Sequence, residues 1–537
     1  MMLFKRGKAS ISQKQVSQTK IFAAPNRGWI KNESLAQSQP NGAEVLDNWY
    51  PTSQGIRMRK GSVKRATCTK DAALTQLMAY ETGSVSKLFA CDAGSIYDAT
   101  PADVSDADTA LTAVVTGLTG GDWAHIQFTA GGGVYLVAAN GKDDVHEYDG
   151  SDWSTPTISF KDASGIDVSG VASSDLSFPW AFKNRLFFIE AGSLKAWYLD
   201  SLSISGDAHS VDLGGIFKYA GALTFGGTFS RDAGSGLDDF CVFVTENGEV
   251  AVYQGNDPSS ATDWSLVGVY KIGKPLGKNA FFKAGGDLAI ATDDGIVSIA
   301  AALNTDRAGI TPITWPIEDA WRLIINERAF AGHPFQTLLW QKQSMLVVAV
   351  PAFEGLSRFC LIANSKTGAW ARYTGLDMRC VAVLGDKCYF GTPAGTVVEM
   401  ETGGADQDVS YACVCIPRYD NFGDPQEKSA VAERIIARTN YPFSLQLFAE
   451  ADYVYDIPAP LPADPDEEGD TWGSGIWGTA RWGGLTDTKQ AVTEWQAVAA
   501  WGSALSPCVQ IASGRGTEPD LELIALHLQY EDASVMV

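Results

Sequence analysis

The chain has 537 residues, 45% apolar and 19% charged, so it can bury a large core and is not disordered by composition. Its 63 acids outnumber 41 bases for a net charge of −22, which sets it against nucleic acid, whose binding rests on cations that displace phosphate counterions. Abundant glycine (54 residues) with frequent Val, Thr and aromatics favours many short strands joined by tight turns.

The chain opens on "MMLFKRGKAS", with only four apolar residues before Lys5 and Arg6, so no secretory leader is expected. The longest clean apolar run, Met345 to Phe353, is half of what a bilayer crossing needs. Charge is uneven. Residues 1–65 carry twelve Lys and Arg against three acids, net +9, while the remainder carries 29 against 60, net −31. That front end reads as a basic arm bearing Lys5, Arg6 and Lys8, then "PNGAEVLDNWYPTSQGIRMRKGS" (40–62). The stretch sets Trp49 and Tyr50 beside Arg57, Arg59 and Lys60.

From 66 to 405 a unit recurs: an apolar strand, a polar turn with glycine, a second strand. Its turn glycines are Gly94, Gly141, Gly192, Gly248, Gly295, Gly355 and Gly395. The pairs Asn247-Gly248 and Asp294-Gly295 suit type I′ hairpins, which need positive φ at both central residues. A period near fifty with room for two more strands predicts a β-propeller of six or seven blades; unrelated hairpins in a large sandwich are the alternative. Trp123, Trp153, Trp264 and Trp370 follow polar turns without completing a sialidase-type Asp box, and read as plugs at blade edges. One helix is expected over 316–330, with Pro316 in its first turn and Ile317, Trp321 and Ile324 on one face.

Residues 406–537 read as a separate C-terminal β domain. It contains a Pro- and acid-rich loop (458–470) and a Trp-Gly series with Trp472, Trp477 and Trp482, and it closes on "PDLELIALHLQYED". Asp464, Asp466 and Glu468 imitate the start of a calcium loop, but position twelve is Gly475 instead of a bidentate Glu, so a solvated loop is expected.

No phosphate-binding glycine loop, nucleophile elbow or paired histidines at ligand spacing occurs. The nine cysteines sit mostly in apolar strand-like runs, as small hydrophobes in a reducing compartment. Neither Cys413-x-Cys415 nor the turn aspartates reach a site pattern. The chain is read as non-enzymatic, without cofactor or metal.

The front segment 32–62 resembles the N-terminal part of tail proteins from short-tailed bacteriophages, in Leu46, Asn48, Pro51, Gly55, Arg59, Lys60 and Gly61. The Trp-Gly series and the closing strand are similar to C-terminal segments of the same group, the podovirus tail nozzle or tail hub, also called packaged-DNA stabilisation protein. The tail "EDASVMV" departs from it in lacking paired glycines. The resemblance implies a virion structural protein, assembled in the host cytoplasm. It would form a hexameric ring below the portal and adaptor proteins, beside tail spikes or fibres, with genomic DNA passing through the lumen without specific binding. In that reading Arg57, Arg59 and Lys60, with Lys5, Arg6 and Lys8, dock on an acidic adaptor or neighbour, and Trp49 and Tyr50 anchor the interface. Glu at 57, 59 and 60 would then block assembly and leave the subunit folded. A propeller-based receptor-binding or glycan-degrading tail spike is the alternative function, and a partner-binding bacterial scaffold a third.

Overall fold

The computed structural model describes residues 17–32, 40–463 and 490–532, apart from 70–71, 163, 220, 233–236, 261, 305–308, 329–332, 441–442 and 515. Seven antiparallel-rich sheets follow one another around a circle: sheet I (76–116), II (124–154), III (158–212), IV (223–271), V (281–298), VI (336–374) and VII (380–400). Six have four or more strands and form full β-propeller blades; sheet V has three and passes straight into the short helix Ile299–Ala302. Their first strands, among them Gln76–Glu81, Ala124–Ala130 and Cys380–Leu384, pack on their neighbours, and Cys380–Leu384 closes the circle against Gln76–Glu81.

The seven repeat glycines all fall between the second and third strands of successive sheets, and all but Gly94 take positive φ. The turn type differs from expectation. Asn247 and Asp294 are not in the left-handed region, so the type I′ geometry is absent there. It occurs between first and second strands instead, at Lys183-Asn184 (φ 45° and 60°) and Gly385-Asp386 (φ 56° and 64°). Trp123 and Trp370 are buried, and the helix runs Glu318–Arg328 behind a 3-10 turn, with Ile317, Trp321 and Ile324 inward as expected.

The two ends of the chain are woven together. Strand Ser62–Thr67 pairs with Thr396–Met400 as the outer strand of sheet VII, so the front end clasps the circle shut. Strand Ala43–Asp47 meets the last strand of sheet VI (Trp370–Thr374) on one side and Tyr411–Pro417 on the other. Blade VI thereby extends into an eight-stranded sheet that also holds Leu505–Ser513 and Leu445–Ala451. A six-stranded sheet packs over it, built from Trp49–Pro51, Ile56–Met58, Leu521–Asp532, Lys428–Thr439, Gln490–Gly502 and Gln18–Ala23. Apolar side chains from both sheets, such as Leu523, Leu526, Val509 and Ile511, share one core with Trp49. The described residues of 18–67 therefore include strands of three sheets and are not an arm, and the described strands after 405 are continuous with a blade or pack on it.

Candidate functional site

The expected docking cluster lies at the seam between propeller and C-terminal sheets. Trp49–Pro51 and Ile56–Met58 form a hairpin, with Tyr50 opposite Arg57. Thr52 Oγ1 accepts from the Gly55 amide at 3.1 Å, and a Cβ on Gly55 would stand 2.5 Å from the Leu523 carbonyl, which fixes glycine there. Ahead of the hairpin Asn48 turns the chain at φ 62°. Its amide donates to Thr374 Oγ1 (2.7 Å) and the Ala412 carbonyl (2.6 Å), while its Oδ1 accepts from Arg59 Nε (2.7 Å). One side chain thus joins three strands.

Arg59 is 1% exposed. Its guanidinium forks onto Asp406, with Nη1 to Oδ1 at 2.9 Å and Nη2 to Oδ2 at 2.5 Å, and lies 3.8 Å from the Tyr411 ring centroid. Tyr411 Oη donates to the Arg59 carbonyl at 2.7 Å. Burial pulls the Arg59 pKa down, but the hydrogen-bonded Asp406 carboxylate outweighs it and holds the group above its ordinary value. Next in chain, a Cβ on Gly61 would meet the Ala405 carbonyl oxygen at 2.1 Å.

Arg57 behaves alike. It donates to Glu401 Oε2 at 2.9 Å, Glu401 Oε1 accepts from Tyr373 Oη at 3.0 Å, and the guanidinium sits 4.6 Å from the Tyr50 ring. Tyr50 Oη donates to the Ser344 carbonyl (2.9 Å), and burial pushes its pKa up to about 12. Lys60 reaches the surface, where it pairs with Glu518 at 2.5 Å beside a cleft also lined by Arg57, Asn440 and Asp520.

These positions correct the docking assignment. Trp49 is 0% exposed, and Tyr50 and Arg59 face the chain's own core and acids, so these three are internal, while Arg57 and Lys60 line a surface cleft beside their own acid partners. Glu at 57 and 59 would set like charges beside Glu401 and Asp406 inside the seam, so such a variant should not fold. Lys5, Arg6 and Lys8, the 464–468 acids and the Trp-Gly series lie outside the described residues.

The pattern extends along the whole front end. Lys20 pairs with Asp420 (3.0 Å), Lys31 with Glu44 (2.8 Å), Arg65 with Glu399 (2.8 Å) and Lys64 with Asp108. Of the eight front-end cations among the described residues, seven pair with a carboxylate, six of them with acids of the acidic body. Sequence reasoning missed Asp406 and Glu401 because the front-end cations they pair with, Arg59 and Arg57, stand more than 300 residues away.

A second polar constellation closes the propeller axis. Asn279, at the entry to sheet V, donates to Gln76 Oε1 in sheet I (3.2 Å) and to the Trp123 carbonyl at sheet II (2.9 Å). Gln336 of sheet VI donates to the same Gln76 oxygen at 2.8 Å. Sheets I and V are not neighbours, so these bonds cross the axis. His125 lies 3.5 Å from Gln76 Nε2, and burial lowers its pKa to about 4, so it stays neutral. Nothing in the sequence marks these amides, since each is a lone polar residue at the start of an apolar strand.

Among the described residues no three His, Cys, Asp or Glu side chains gather as a metal site, all nine cysteines are buried and free, and no helix is long and apolar enough to cross a membrane.

A search of protein-family models finds no match, and neither does a search of curated proteins. Among solved structures the chain is similar to BBS1N in complex with ARL6DN, at 9% identity and a TM-score of 0.41 over 68% of this chain and 100% of that one. The computationally designed Ika8 protein matches at 13% identity and a TM-score of 0.34, over 63% of this chain and 99% of its own. YCF48 bound to D1 peptide matches at 9% and 0.38, over 68% and 99%. At these TM-scores they carry no argument, and the fold rests on the strand pairings above.

Proposed function

We propose that the chain is a structural component of a short-tailed phage, a nozzle or hub subunit whose copies form a ring, a hexamer in the resemblance, that retains packaged DNA and guides its ejection. The observation that supports this is the internal neutralisation of the front-end cations. With them paired, the folded chain presents a surface dominated by carboxylates, and a passage lined by such surfaces offers phosphate no attractive wells. The throat adds a geometric condition. Gln76, Asn279 and Gln336 block the propeller axis, so any passage for duplex runs between copies and not through a propeller.

Negative-stain imaging of the purified chain tests this. A closed annulus with a hole wide enough for a duplex is expected, together with negligible duplex binding at physiological ionic strength. Isolated particles without a hole, or tight duplex binding, would refute the proposal.

A further inference from the structure

The six-stranded sheet has one face on the core, and among the described residues no other element packs on its second face. Across four adjacent strands the register aligns Ile21, His527, Arg434 and Trp495 in one row on the open face. Ile21 is 61% exposed and Trp495 45%; Trp501, further along the same strand, is 60% exposed. Arg434 Nη2 donates to His527 Nδ1 at 2.8 Å and its guanidinium lies 4.9 Å from the Trp495 ring, so the row is already held in place. Such a row of rigid aromatics beside arginine is the composition of an interface centre.

Two quantities identify the occupant. Three strands of 12, 13 and 12 residues and one of six span the face. At about 3.3 Å per residue and about 4.8 Å between strands, they present roughly 700 Å². That approaches the roughly 800 Å² each partner gives to a stable protein interface. Charge narrows the choice further. Arg438 has Glu522 opposite it in the register, but Arg434 stands at the centre of the row against His527 and Trp495, in a chain with net charge −22, so the acidic body of another copy complements it. We infer that this face seats the neighbouring copy in the ring, an inference that rests on the ring reading above. The contact is heterologous, this sheet on one copy against acidic surface on the next, which is the kind that closes into rings.

The test uses the full chain in sedimentation velocity and negative stain. Ile21→Glu with Trp495→Glu places two carboxylates in the row, while Leu266→Glu, on the outer strand of sheet IV, serves as control. The wild type and the control should form rings; the double variant should keep its circular dichroism and melting temperature and associate about 30-fold more weakly or worse. Should the double variant lose its fold, Trp501→Gln replaces it, with weaker association expected at unchanged stability. A face variant that still forms rings of wild-type affinity overturns the inference and leaves the ring reading standing. A wild type without rings at any concentration removes the ring reading itself. Radical oxidation of Trp495 separates the remaining occupant: protection in the ring and attack in the dilute monomer are expected. Protection in the monomer means that the chain covers the face itself, which overturns the inference.

Discussion

Removing the Asp406 carboxylate probes the seam most directly. In Asp406→Asn the Arg59 guanidinium stays buried at 1% exposure and keeps its neutral acceptors, Asn48 Oδ1 and the carbonyls of Lys60 (3.0 Å) and Thr374 (3.3 Å). It loses the one negative charge that compensates its desolvation. Breaking a buried ion pair from one side costs about 3–5 kcal/mol, a large part of the roughly 5–15 kcal/mol that holds a typical domain folded. Arg59→Met should cost a similar amount, because Asp406 then keeps only the Ser62 hydroxyl (3.0 Å) as a side-chain donor. The double variant Arg59→Met with Asp406→Leu should recover about half of the summed loss or more, since no charge is left stranded. Urea unfolding followed by tryptophan fluorescence measures all three. Single variants costing less than about 1 kcal/mol, or losses that simply add in the double variant, would show that the pair is not a buried, coupled unit.

Three further outcomes follow from the same physics. His125, with its pKa near 4 against an ordinary 6.5, contributes stability that is present above pH 6.5 and lost as pH falls through about 4. That window is worth about 3 kcal/mol, and His125→Gln should flatten the acid limb of a stability–pH curve. Glu433 is fully buried, accepts from the Cys508 amide at 3.4 Å, and burial raises its pKa well above the carboxylate range. Stability should therefore decline as pH rises from that range toward the raised value, and Glu433→Gln should gain about 1–3 kcal/mol in thermal melts at neutral pH. Gly61→Ala, whose Cβ would strike the Ala405 carbonyl, should cost about 1–3 kcal/mol or more while the conservative Lys60→Arg stays neutral.

Legibility in the sequence followed locality. Hairpin glycines and apolar strands are consequences of neighbouring residues, so the circle of sheets and the helix at 318–328 could be read directly. Pairings across the chain could not. Nothing near Arg59 announces Asp406, and a cluster of cations with aromatics looks the same whether it faces a partner or its own fold. Charge asymmetry was visible, but its destination was not, because Glu401, Asp406 and Glu518 come to the front end only through the path of the intervening sheets. The I′ turns were displaced for a related reason. Asn247-Gly248 fits the dipeptide rule, yet the geometry went to Lys183-Asn184 and Gly385-Asp386, where two-residue loops join tightly twisted inner strands.

The clasp between Thr67 and Thr396 has a consequence for synthesis. A nascent polypeptide exposes Ser62–Thr67 about 330 residues before its partner strand leaves the ribosome, a delay on the order of 20–70 s at roughly 5–20 residues per second. Closure of sheet VII therefore waits on Thr396–Met400, and over the same stretch of synthesis Arg57, Arg59, Lys60 and Arg65 stand without Glu401, Asp406, Glu518 and Glu399.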